Sequence, residues 1–432
     1  MTGLPEQFLK RMRERLGSDF PAFLTSYELP PLKGLRVNPL KISVEEFRQI
    51  APFALGDGVP WEQNGVYIQE EKPGADPYHF AGLYYLQEPS AMCAVPMLAV
   101  RPGERVLDLC AAPGGKTTQI AGAMQGEGVL IANEIDYDRA KILSQNVERL
   151  GITNCAVTSA NPKKLAEHLP EYFDKILIDA PCSGEGMFKK EPNAIPEWSE
   201  ENVRRCAARQ REILDCAAQM LAGGGKMVYS TCTFASEEDE DQVGEFLLRH
   251  PEFELVAMKK LLPHEIRGEG HFVALLQKRE GEKNSCKEIK TVQSRAVKEF
   301  AEEFLEEECE LRLYETLSAS DAKAKYYRYS SVPNGMPVLP VTTLRIGVEL
   351  GEWDGKLFKP SHALAMAYGR AARRKVKLSR EESIKYLHGE TLETELENGW
   401  CVVCVEDYPI GLGKIVNGVV KNHLPKGLRM IK

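Results

Sequence analysis

The chain has 432 residues, of which 43% are hydrophobic, and this length and composition predict two to four domains with packed cores. No run of residues approaches the roughly 18 uncharged apolar residues that a membrane-spanning helix needs. The first residues, MTGLPEQFLKRMRERL, have no apolar run after their basic residues and are typical of a mature helix rather than a signal peptide. Together with eleven scattered cysteines, these features predict a cytoplasmic protein in a reducing compartment.

Charge is distributed unevenly along the chain. The net charge of −8 argues against a nucleic-acid-binding protein, and residues 299–310 contain seven glutamates and no basic residue. The first 43 residues, however, carry seven basic and four acidic side chains, and residues 356–432 carry 14 basic and 8 acidic ones. Because the local field decides where a phosphate backbone binds, both ends are candidate RNA-binding surfaces, although two ordinary solvated surfaces would have the same composition.

The order of elements predicts several regions. Residues 1–77 begin with a helix and continue into a proline-rich stretch, and they are predicted to form a small N-terminal RNA-binding segment. Residues 78–280 alternate strands and helices, which is typical of an α/β domain with a doubly wound, mostly parallel sheet. Residues 281–297 are polar without periodicity and are predicted to be a linker. Residues 298–432 contain an acidic helix and then short strands from about Lys323, and they form the predicted C-terminal RNA-binding region.

Seven strands are predicted in the central region. They are RVLDLCA, GVLIANEI, NCAVTSA, FDKILIDA, KMVYSTCT, FELVAMKKL and HFVALLQKR. Helices with apolar spacing of 3.6 residues separate most of them, the longest over residues 197–221. Ligands of such sheets bind at the carboxyl ends of the strands, so the residues that follow each strand are the candidates for a site.

A glycine-rich turn follows the first of these strands. A phosphate loop of the form GxxxxGK[ST] would need glycine where the chain has Cys110, and Pro113 has no backbone N–H to offer a phosphate. A dinucleotide-binding turn would need GxGxxG, whereas the chain has PGGK. The third possibility is a turn that binds S-adenosylmethionine, and the carboxylates Asp108 and Glu134 favour it. An NTPase is the weaker interpretation.

Two polar residues after the next strands are further candidates for cofactor binding. Glu134 ends the second strand, 20 residues after Gly114, where a carboxylate can accept hydrogen bonds from both hydroxyls of a ribose. Asn161 follows the third strand, where a carboxamide can supply a donor and an acceptor to an adenine edge. An asparagine directly before proline is also a common turn residue.

Two cysteines each follow a strand that should end at the same edge of the sheet. Cys182 lies in DAPCSGEG after the fourth strand, and Cys232 lies in STCT after the fifth. Strands four and five are neighbours in doubly wound sheets, so both thiols are expected to face one pocket. A single cysteine is most often a buried apolar residue, but two beside a cofactor turn indicate chemistry.

The methylation of carbon 5 of cytosine explains why a thiol would be needed. Carbon 5 is a poor nucleophile until a thiolate adds to carbon 6 and makes the ring electron-rich, which is covalent catalysis. Methylation of an exocyclic amine needs no thiol, and its sites typically carry Asp/Asn-Pro-Pro-aromatic where this chain has Asp179-Ala180-Pro181-Cys182. Asp179 is placed to hydrogen-bond the ring nitrogen or amino group of cytosine. The residues alone do not decide which cysteine attacks.

A second pair of cysteines, Cys401 and Cys404, has the spacing CxxC. The pair lies in the apolar strand pattern WCVVCVED, and no second pair follows at metal-ligand spacing. Burial in a core is therefore predicted for both, and no metal site is expected.

The motifs DLCAAPGGKTTQ, NEI, LIDAPCSGEGMFKKEP and YSTCT, in this order, resemble the RNA 5-methylcytosine methyltransferases of the NOL1/NOP2/Sun family. The resemblance covers residues 78–279. RIGVELGEWDGKLFKPSHALAMA and GLGKIVNGVVKNHLPKGLR are similar to the C-terminal regions of the bacterial RsmF/YebU subgroup, which modifies small-subunit ribosomal RNA. The resemblance implies a Rossmann-like class I methyltransferase domain with a seven-stranded sheet and an α+β, PUA-like C-terminal module.

The resemblance also implies roles for individual residues. It makes Cys232 the attacking thiol and gives Cys182 a part in releasing the product. It assigns Glu134 and Asp179 to S-adenosylmethionine, together with the loop of Cys110, Ala111, Ala112, Pro113, Gly114, Gly115 and Lys116. Many relatives have aspartate where this chain has Asn161, and an amide can still bind adenine.

The expected partner is ribosomal RNA or the small ribosomal subunit. Lys190 matches a family lysine near the substrate pocket, although a solvated lysine is an alternative. Phosphates should meet the basic side chains near the end of the chain, namely Lys414, Lys421, Lys426 and Arg429, with His423 among them. Transfer RNA is the alternative substrate, and a non-catalytic ribosome-assembly factor is the alternative from another class. A monomer is expected.

Overall fold

The computed structural model describes residues 3–307, 310–321 and 324–430. The chain begins with two helices, α1 (Glu6–Leu16) and α2 (Phe20–Ser26). A four-stranded antiparallel sheet in the order β2-β3-β1-β4 follows. Its elements are β1 (Lys33–Val37), α3 (Val44–Ile50), β2 (Leu55–Val59), β3 (Glu62–Ile68), α4 (Pro77–Phe80) and β4 (Tyr84–Leu86).

The central region alternates strands and helices, as predicted. After α5 (Ala94–Leu98), its strands are β5 (Arg105–Asp108), β6 (Val129–Asn133), β7 (Cys155–Ser159), β8 (Phe173–Asp179), β9 (Leu221–Thr231), β10 (Phe253–Leu261) and β11 (His271–Lys278). Its helices are α6 (Gly115–Met124), α7 (Tyr137–Arg149), α8 (Pro162–His168), α9 (Glu200–Met220) and α10 (Glu240–Arg249).

The central sheet has the order β10-β11-β9-β8-β5-β6-β7, with an eighth strand at the β7 edge. The five strands β5 to β9 are parallel, and β11 runs antiparallel to β9. Residues of β5, β6 and β8 are fully buried on both sides, as expected for a parallel sheet covered by helices. This is the predicted doubly wound, Rossmann-like fold, and its strand order reverses between β5 and β8, where a ligand site forms.

The eighth strand comes from outside the predicted domain. β14 (Thr342–Ile346) pairs antiparallel with β7, and Arg345 forms an ion pair with Glu148 of α7. The predicted linker also lies against the central domain: Asn284 N–H donates to Glu171 O at 2.9 Å, and Ile289 is buried in the central core. Contacts continue across residues 280 and 297, so the domain boundaries predicted at these positions remain predictions.

The C-terminal region contains two more sheets. The first has the order β12-β13-β15-β16, from β12 (Leu313–Asp321), β13 (Ala324–Ser331), β15 (Val348–Trp353) and β16 (Phe358–Pro360). The second has the order β17-β19-β20-β21-β18, from β17 (Lys375–Leu378), β18 (Leu392–Glu393), β19 (Gly399–Val405), β20 (Tyr408–Val416) and β21 (Val419–Asn422). The helices are α11 (Arg295–Phe304), α12 (His362–Tyr368) and α13 (Arg380–Leu387). Lys323 lies outside the described residues, and strand structure begins earlier than expected.

The first and last sheets of the chain share one hydrophobic core. Leu35 and Val37 of β1 lie in the same buried cluster as Val403 of β19 and Ile410 of β20. The rings of Tyr78 and Tyr408 have their centroids 6.3 Å apart across this boundary. Cys401 and Cys404 are fully buried in β19, as predicted. In the described ranges no helix is both long and apolar enough for a bilayer.

Candidate active site

The two candidate cysteines meet at the carboxyl edge of the central sheet. β8 ends at Asp179, β9 ends at Thr231, and the two strands are parallel neighbours. Cys182 and Cys232 follow these ends, and their sulfur atoms lie 3.2 Å apart. The expectation that both thiols face one place is therefore met, and the two cysteines are called the thiol pair below.

Hydrogen bonds between the two loops fix the thiol pair. The hydroxyls of Ser183 and Thr233 are 2.8 Å apart, and Gly186 N–H donates to Cys232 O at 2.8 Å. The carboxylate of Glu238 accepts from Ser183 N–H at 3.0 Å. The residues after each cysteine are thus held by the residues after the other, so the sulfur–sulfur contact is built into the fold.

Helices α1 and α2 brace these loops from outside. Phe8 is fully buried against Phe188, with ring centroids 5.2 Å apart, and Phe23 packs on Phe234 at 5.8 Å. Arg15 donates to the carbonyl of Phe234. The predicted N-terminal RNA-binding segment stays a prediction, and part of its basic charge is used for internal contacts.

An ion pair joins the glycine-rich turn to the thiol pair. Lys116, in the first turn of α6, places Nζ 2.7 Å from Asp179 Oδ2, while Ser230 donates to Asp179 Oδ1 at 2.9 Å. Burial raises the pKa of Asp179, but Lys116, His271 and the Ser230 hydroxyl together outweigh burial, and the pKa is lowered overall. Asp179 is therefore ionised, and its side chain, which is 34% exposed, is open to a substrate.

The thiol of Cys182 is held in its protonated form. Its contact with the Cys232 sulfur raises its pKa well above the ordinary value, and burial adds to the effect. The nearby Lys116 has its pKa raised, against the effect of burial, mainly by the Asp179 carboxylate. Cys182 is therefore the sulfur that keeps its proton.

The glycine-rich turn passes directly into α6. Gly114 has φ +113°, where a side chain would be strained, and a Cβ there would lie 3.1 Å from Leu143 of α7. Arg139 and Asn146 of α7 donate to the carbonyls of Ala112 and Pro113, both at 2.9 Å. The turn is therefore anchored by α7 with its backbone close to the strand ends.

Further contacts surround the turn. Ala111 and Ala112 are buried, and burial raises the pKa of the Cys110 thiol, so Cys110 is not a nucleophile at neutral pH. Gly115 O accepts from Arg36 of β1 at 2.8 Å. The N-terminal sheet thus holds the predicted loop in place, a role that nothing in the segment RVNPL indicates.

Two carboxylates flank the turn. Asp108 accepts from Thr117 Oγ1 at 2.7 Å, and its other oxygen is buried without a hydrogen-bond partner among the described residues. Burial raises the pKa of Asp108 to about 7. Glu134 is 5% exposed and accepts from Asp136 N–H at 3.0 Å, with Arg139 3.5 Å away. An unpartnered buried carboxylate beside a glycine turn fits the cationic methionine part of S-adenosylmethionine.

Asn161 and Lys190 lie at the margins of this arrangement. Asn161 is exposed at the N-terminus of α8, where its side-chain oxygen accepts from Lys163 N–H at 2.9 Å. This is the turn role that the following proline also indicates, and a contact with adenine stays a prediction. Lys190 is exposed, whereas its neighbour Lys189 is largely buried and lies 3.4 Å from Glu269.

The predicted C-terminal basic side chains lie on the last sheet. Lys414 and Lys421 are cross-strand neighbours on β20 and β21, and Lys426 is exposed beyond β21. Arg429 is half-buried and donates to Leu424 O at 3.3 Å. These four residues are called the C-terminal basic cluster. In the part of the chain that is described, no group of three acidic, histidine or cysteine side chains could hold a metal ion.

Three family models match separate parts of the chain. A family model described as 16S rRNA methyltransferase RsmB/F matches residues 95–277, and models for the RsmF N-terminal and PUA domains match residues 4–89 and 373–430. Ribosomal RNA small subunit methyltransferase F of Erwinia tasmaniensis is 32% identical over 98% of this chain and 96% of its own length. The corresponding protein of Cronobacter sakazakii is 33% identical over the same shares. The chain belongs to the RsmB/F family.

Solved structures related to this RsmB/F protein share its fold. A methyltransferase homologue from Pyrococcus horikoshii is 29% identical, has a TM-score of 0.58 and covers 64% of this chain and 96% of its own. NSun6 from Pyrococcus horikoshii with SFG, an S-adenosylmethionine analogue, has the same TM-score at 20% identity and covers 64% of this chain and 99% of its own. As a member of the RsmB/F family, this chain is an S-adenosylmethionine-dependent methyltransferase with a C-terminal PUA domain.

Several residues of the site were not found from the sequence. Glu238 and Ser183 fix the loops of the thiol pair, and His271 of β11 places Nε2 3.8 Å from Asp179 Oδ1. A histidine at the start of a predicted strand gives no signal unless the order of the strands is known. Once β11 is seen beside β9, the start of β11 falls next to the end that carries Cys232.

Proposed function

We propose that this protein methylates carbon 5 of a cytosine in small-subunit ribosomal RNA, with Cys232 as a covalent nucleophile. The observation that carries the proposal is the thiol pair, with sulfurs 3.2 Å apart, beside the Lys116–Asp179 ion pair. Two thiols and a carboxylate at one sheet edge are more than methyl transfer to an amine requires. They match the needs of a reaction on a ring carbon.

The chemistry follows from the order of bond changes. Cys232 Sγ bonds to carbon 6, and the electron pair of the 5,6 double bond moves toward the ring nitrogen, which makes carbon 5 nucleophilic. S-adenosylmethionine supplies the electrophilic methyl group that carbon 5 takes. A base then removes the proton of carbon 5, the double bond reforms, and the Cys232 sulfur leaves with its electron pair.

The state of the two sulfurs supports Cys232 as the attacking residue. Only one member of a contacting pair can be a thiolate, because two adjacent negative charges repel each other. Cys182 is the member whose pKa is raised, so it keeps its proton, which leaves Cys232 as the candidate nucleophile. Cys182 is then placed to give its proton to the departing Cys232 sulfur and so to release the product.

Asp179 has the second part in the reaction. With Lys116 on one oxygen, its carboxylate is ionised and can accept from the amino group of cytosine or from a protonated ring nitrogen. Holding the proton at the ring nitrogen draws electrons from carbon 6 and makes it easier for Cys232 to attack.

The cofactor contacts are proposed for the residues around the glycine turn. The turn Cys110 to Lys116 would bring backbone close to the methionine part, and the unpartnered oxygen of Asp108 would accept from its ammonium group. Glu134, at the end of β6, would bind the ribose hydroxyls, and Asn161 would reach the adenine. Asp179 lies near enough to touch both ligands.

RNA is proposed to bind across the C-terminal basic cluster and near Lys190. The target base must leave any helix to reach the thiol pair. The relatives named ribosomal RNA small subunit methyltransferase F support ribosomal RNA over transfer RNA. A monomer that works in the cytoplasm, without a metal ion, is part of the proposal.

Two cysteine variants test the proposal. Cys232→Ala should abolish methylation of small-subunit RNA and form no adduct. Cys182→Ala should accumulate a protein–RNA adduct that survives denaturation, because the thiol that releases the product is missing. Cys401→Ala, in the core of β19, is the control for loss of a cysteine. Free turnover by Cys182→Ala with an adduct on Cys232→Ala would reverse the roles, and transfer RNA as the better substrate would overturn the choice of RNA.

A further inference from the structure

The imidazole of His271 is buried beside the active site without a hydrogen bond at one of its nitrogens. The residue is 2% exposed, and Nε2 has no partner among the described residues. The nearest oxygen that the structure pairs with Nε2 is Asp179 Oδ1, 3.8 Å away. This distance is beyond a hydrogen bond, and a shift of about 1 Å would close it.

The position of His271 in the sheet places it next to the nucleophile. It is the first residue of β11, and its neighbour Phe272 is paired with Thr231, the residue before Cys232. Phe272 packs on Tyr229 on one face of the sheet, with ring centroids 6.3 Å apart. Because side chains alternate along a strand, His271 lies on the other face, where Asp179 is within reach.

His271 differs from the other histidines with an unpartnered buried nitrogen in the charged groups that face its ring. A buried polar nitrogen without a partner destabilises a fold, and an apolar side chain would fill the same space without that penalty. Two charged groups face the ring, Asp179 from β8 and Lys116 from α6. Burial, and then the Lys116 ammonium, lower the pKa of His271 to about 3, so the imidazole is neutral and carries one N–H.

We propose that His271 is a positioning residue for cytosine methylation, which donates Nε2–H to Asp179 Oδ1 when the base enters the site. Asp179 Oδ2 is held by Lys116, and among the described residues Oδ1 has only the Ser230 hydroxyl, at 2.9 Å. A second donor on Oδ1 fixes the plane of the carboxylate, so its free electron pairs point at the amino group and ring nitrogen of cytosine. The inference rests on the proposed function.

The proposal predicts an effect on the reaction and not on binding. Without His271 the carboxylate can turn, so the attack of Cys232 slows while RNA and S-adenosylmethionine bind as before. His271→Leu should lower the single-turnover rate by about 10- to 100-fold, the rate equivalent of one hydrogen bond to a charged group. The KM for RNA should stay within about twofold. His271→Gln, whose amide nitrogen can occupy the place of Nε2, should recover most of the rate.

The measurement uses the full chain with small-subunit RNA and, separately, with RNA that contains 5-fluorocytosine, which traps the covalent adduct because carbon 5 has no proton to lose. His264→Leu is the matched control: its Nδ1 is also buried without a partner, but the ring packs against Phe23 of α2. Slower adduct formation by His271→Leu, with rescue by His271→Gln, supports the proposal. An equal rate for His271→Leu and wild type, or no rescue, overturns it.

Failure of this inference is distinguishable from failure of the proposed function. If wild type forms no adduct with the fluorinated RNA, covalent attack on cytosine is wrong for this enzyme. If wild type and His271→Leu form it at the same rate, only the role of His271 is wrong. Binding of S-adenosylmethionine by calorimetry confirms that each variant is folded, because the glycine turn must be intact for it.

Discussion

Lys116 Nζ and Asp179 Oδ2 lie 2.7 Å apart, and this ion pair joins the two halves of the active site. Lys116 opens α6 directly after the turn proposed to hold the cofactor, and Asp179 ends β8 three residues before Cys182. In the proposed arrangement of the ligands, this one interaction sets the distance between the methyl donor and the cytosine. Its removal should affect chemistry more than binding of either ligand.

Lys116→Met tests this ion pair. Loss of the ammonium raises the pKa of Asp179, so this carboxyl loses part of its preference for the ionised form. The rate of methyl transfer should fall about 100-fold or more in single-turnover assays. Lys226→Met, on β9 far from its carboxyl end, is the control. Wild-type rates for Lys116→Met would contradict the assigned role.

Glu238 makes the stability depend on pH. Burial raises its pKa from 4.5 to about 7, against the hydrogen bonds from Ser183 and Gln210 that lower it. A carboxyl whose pKa is raised on folding stabilises the protein below its unfolded pKa, and that contribution is lost as the pH rises through about 7.

The variant Glu238→Gln removes this titration. Between pH 5 and pH 8 the free energy of unfolding of wild type should fall by about 2 kcal/mol more than that of the variant. Denaturant unfolding at the two pH values measures the difference. Glu265→Gln, exposed in the loop after β10, is the control. Parallel pH dependence of wild type and Glu238→Gln would mean that Glu238 is ionised in the folded protein.

The C-terminal basic cluster predicts salt-dependent RNA binding. The double variant Lys414→Ala/Lys421→Ala removes two cations on neighbouring strands. Each lost phosphate contact lowers the slope of log affinity against log salt concentration by about 0.7 to 0.9. The slope should therefore fall by about 1.5, as measured by filter binding from 50 to 300 mM salt, roughly the range in which such slopes are read.

Lys377→Ala provides the control for that experiment. Lys377 lies on β17 of the same sheet, but its ammonium is already paired with Asp407. Its removal should leave the slope unchanged. An equal loss from both variants would indicate that general charge, rather than this cluster, attracts the RNA.

Because α1 packs against the loops that carry the thiol pair, loss of this packing should lower both stability and activity. Phe8 is fully buried, and its ring meets those of Phe188 and Trp198. Phe8→Ala should lower the free energy of unfolding by about 3 kcal/mol and slow methyl transfer, because Phe188 follows the Cys182 loop. Phe304→Ala, equally buried in α11, should lose stability alone. Full activity of Phe8→Ala per folded molecule would show that the loops of the thiol pair keep their conformation without this packing.

The sequence predicts the central fold and the meeting of Cys182 with Cys232, because parallel strands and their carboxyl ends follow from the alternation of apolar segments. It does not predict β14 in the central sheet, since an edge pairing with β7 depends on where a distant segment arrives. It also does not predict Arg36 at the glycine turn, because a buried arginine is held by partners remote in sequence. The roles of Asn161 and Lys190 stay predictions.

The common core of the first and last sheets has a consequence for synthesis of the protein. The apolar face of β1 is made long before Val403 and Ile410, which belong to the same buried cluster. During translation that face is exposed, and a nascent chain of this kind is open to aggregation. A truncated mRNA that lacks the last sheet should therefore yield a protein that depends on chaperones, even if it still encodes Cys182 and Cys232.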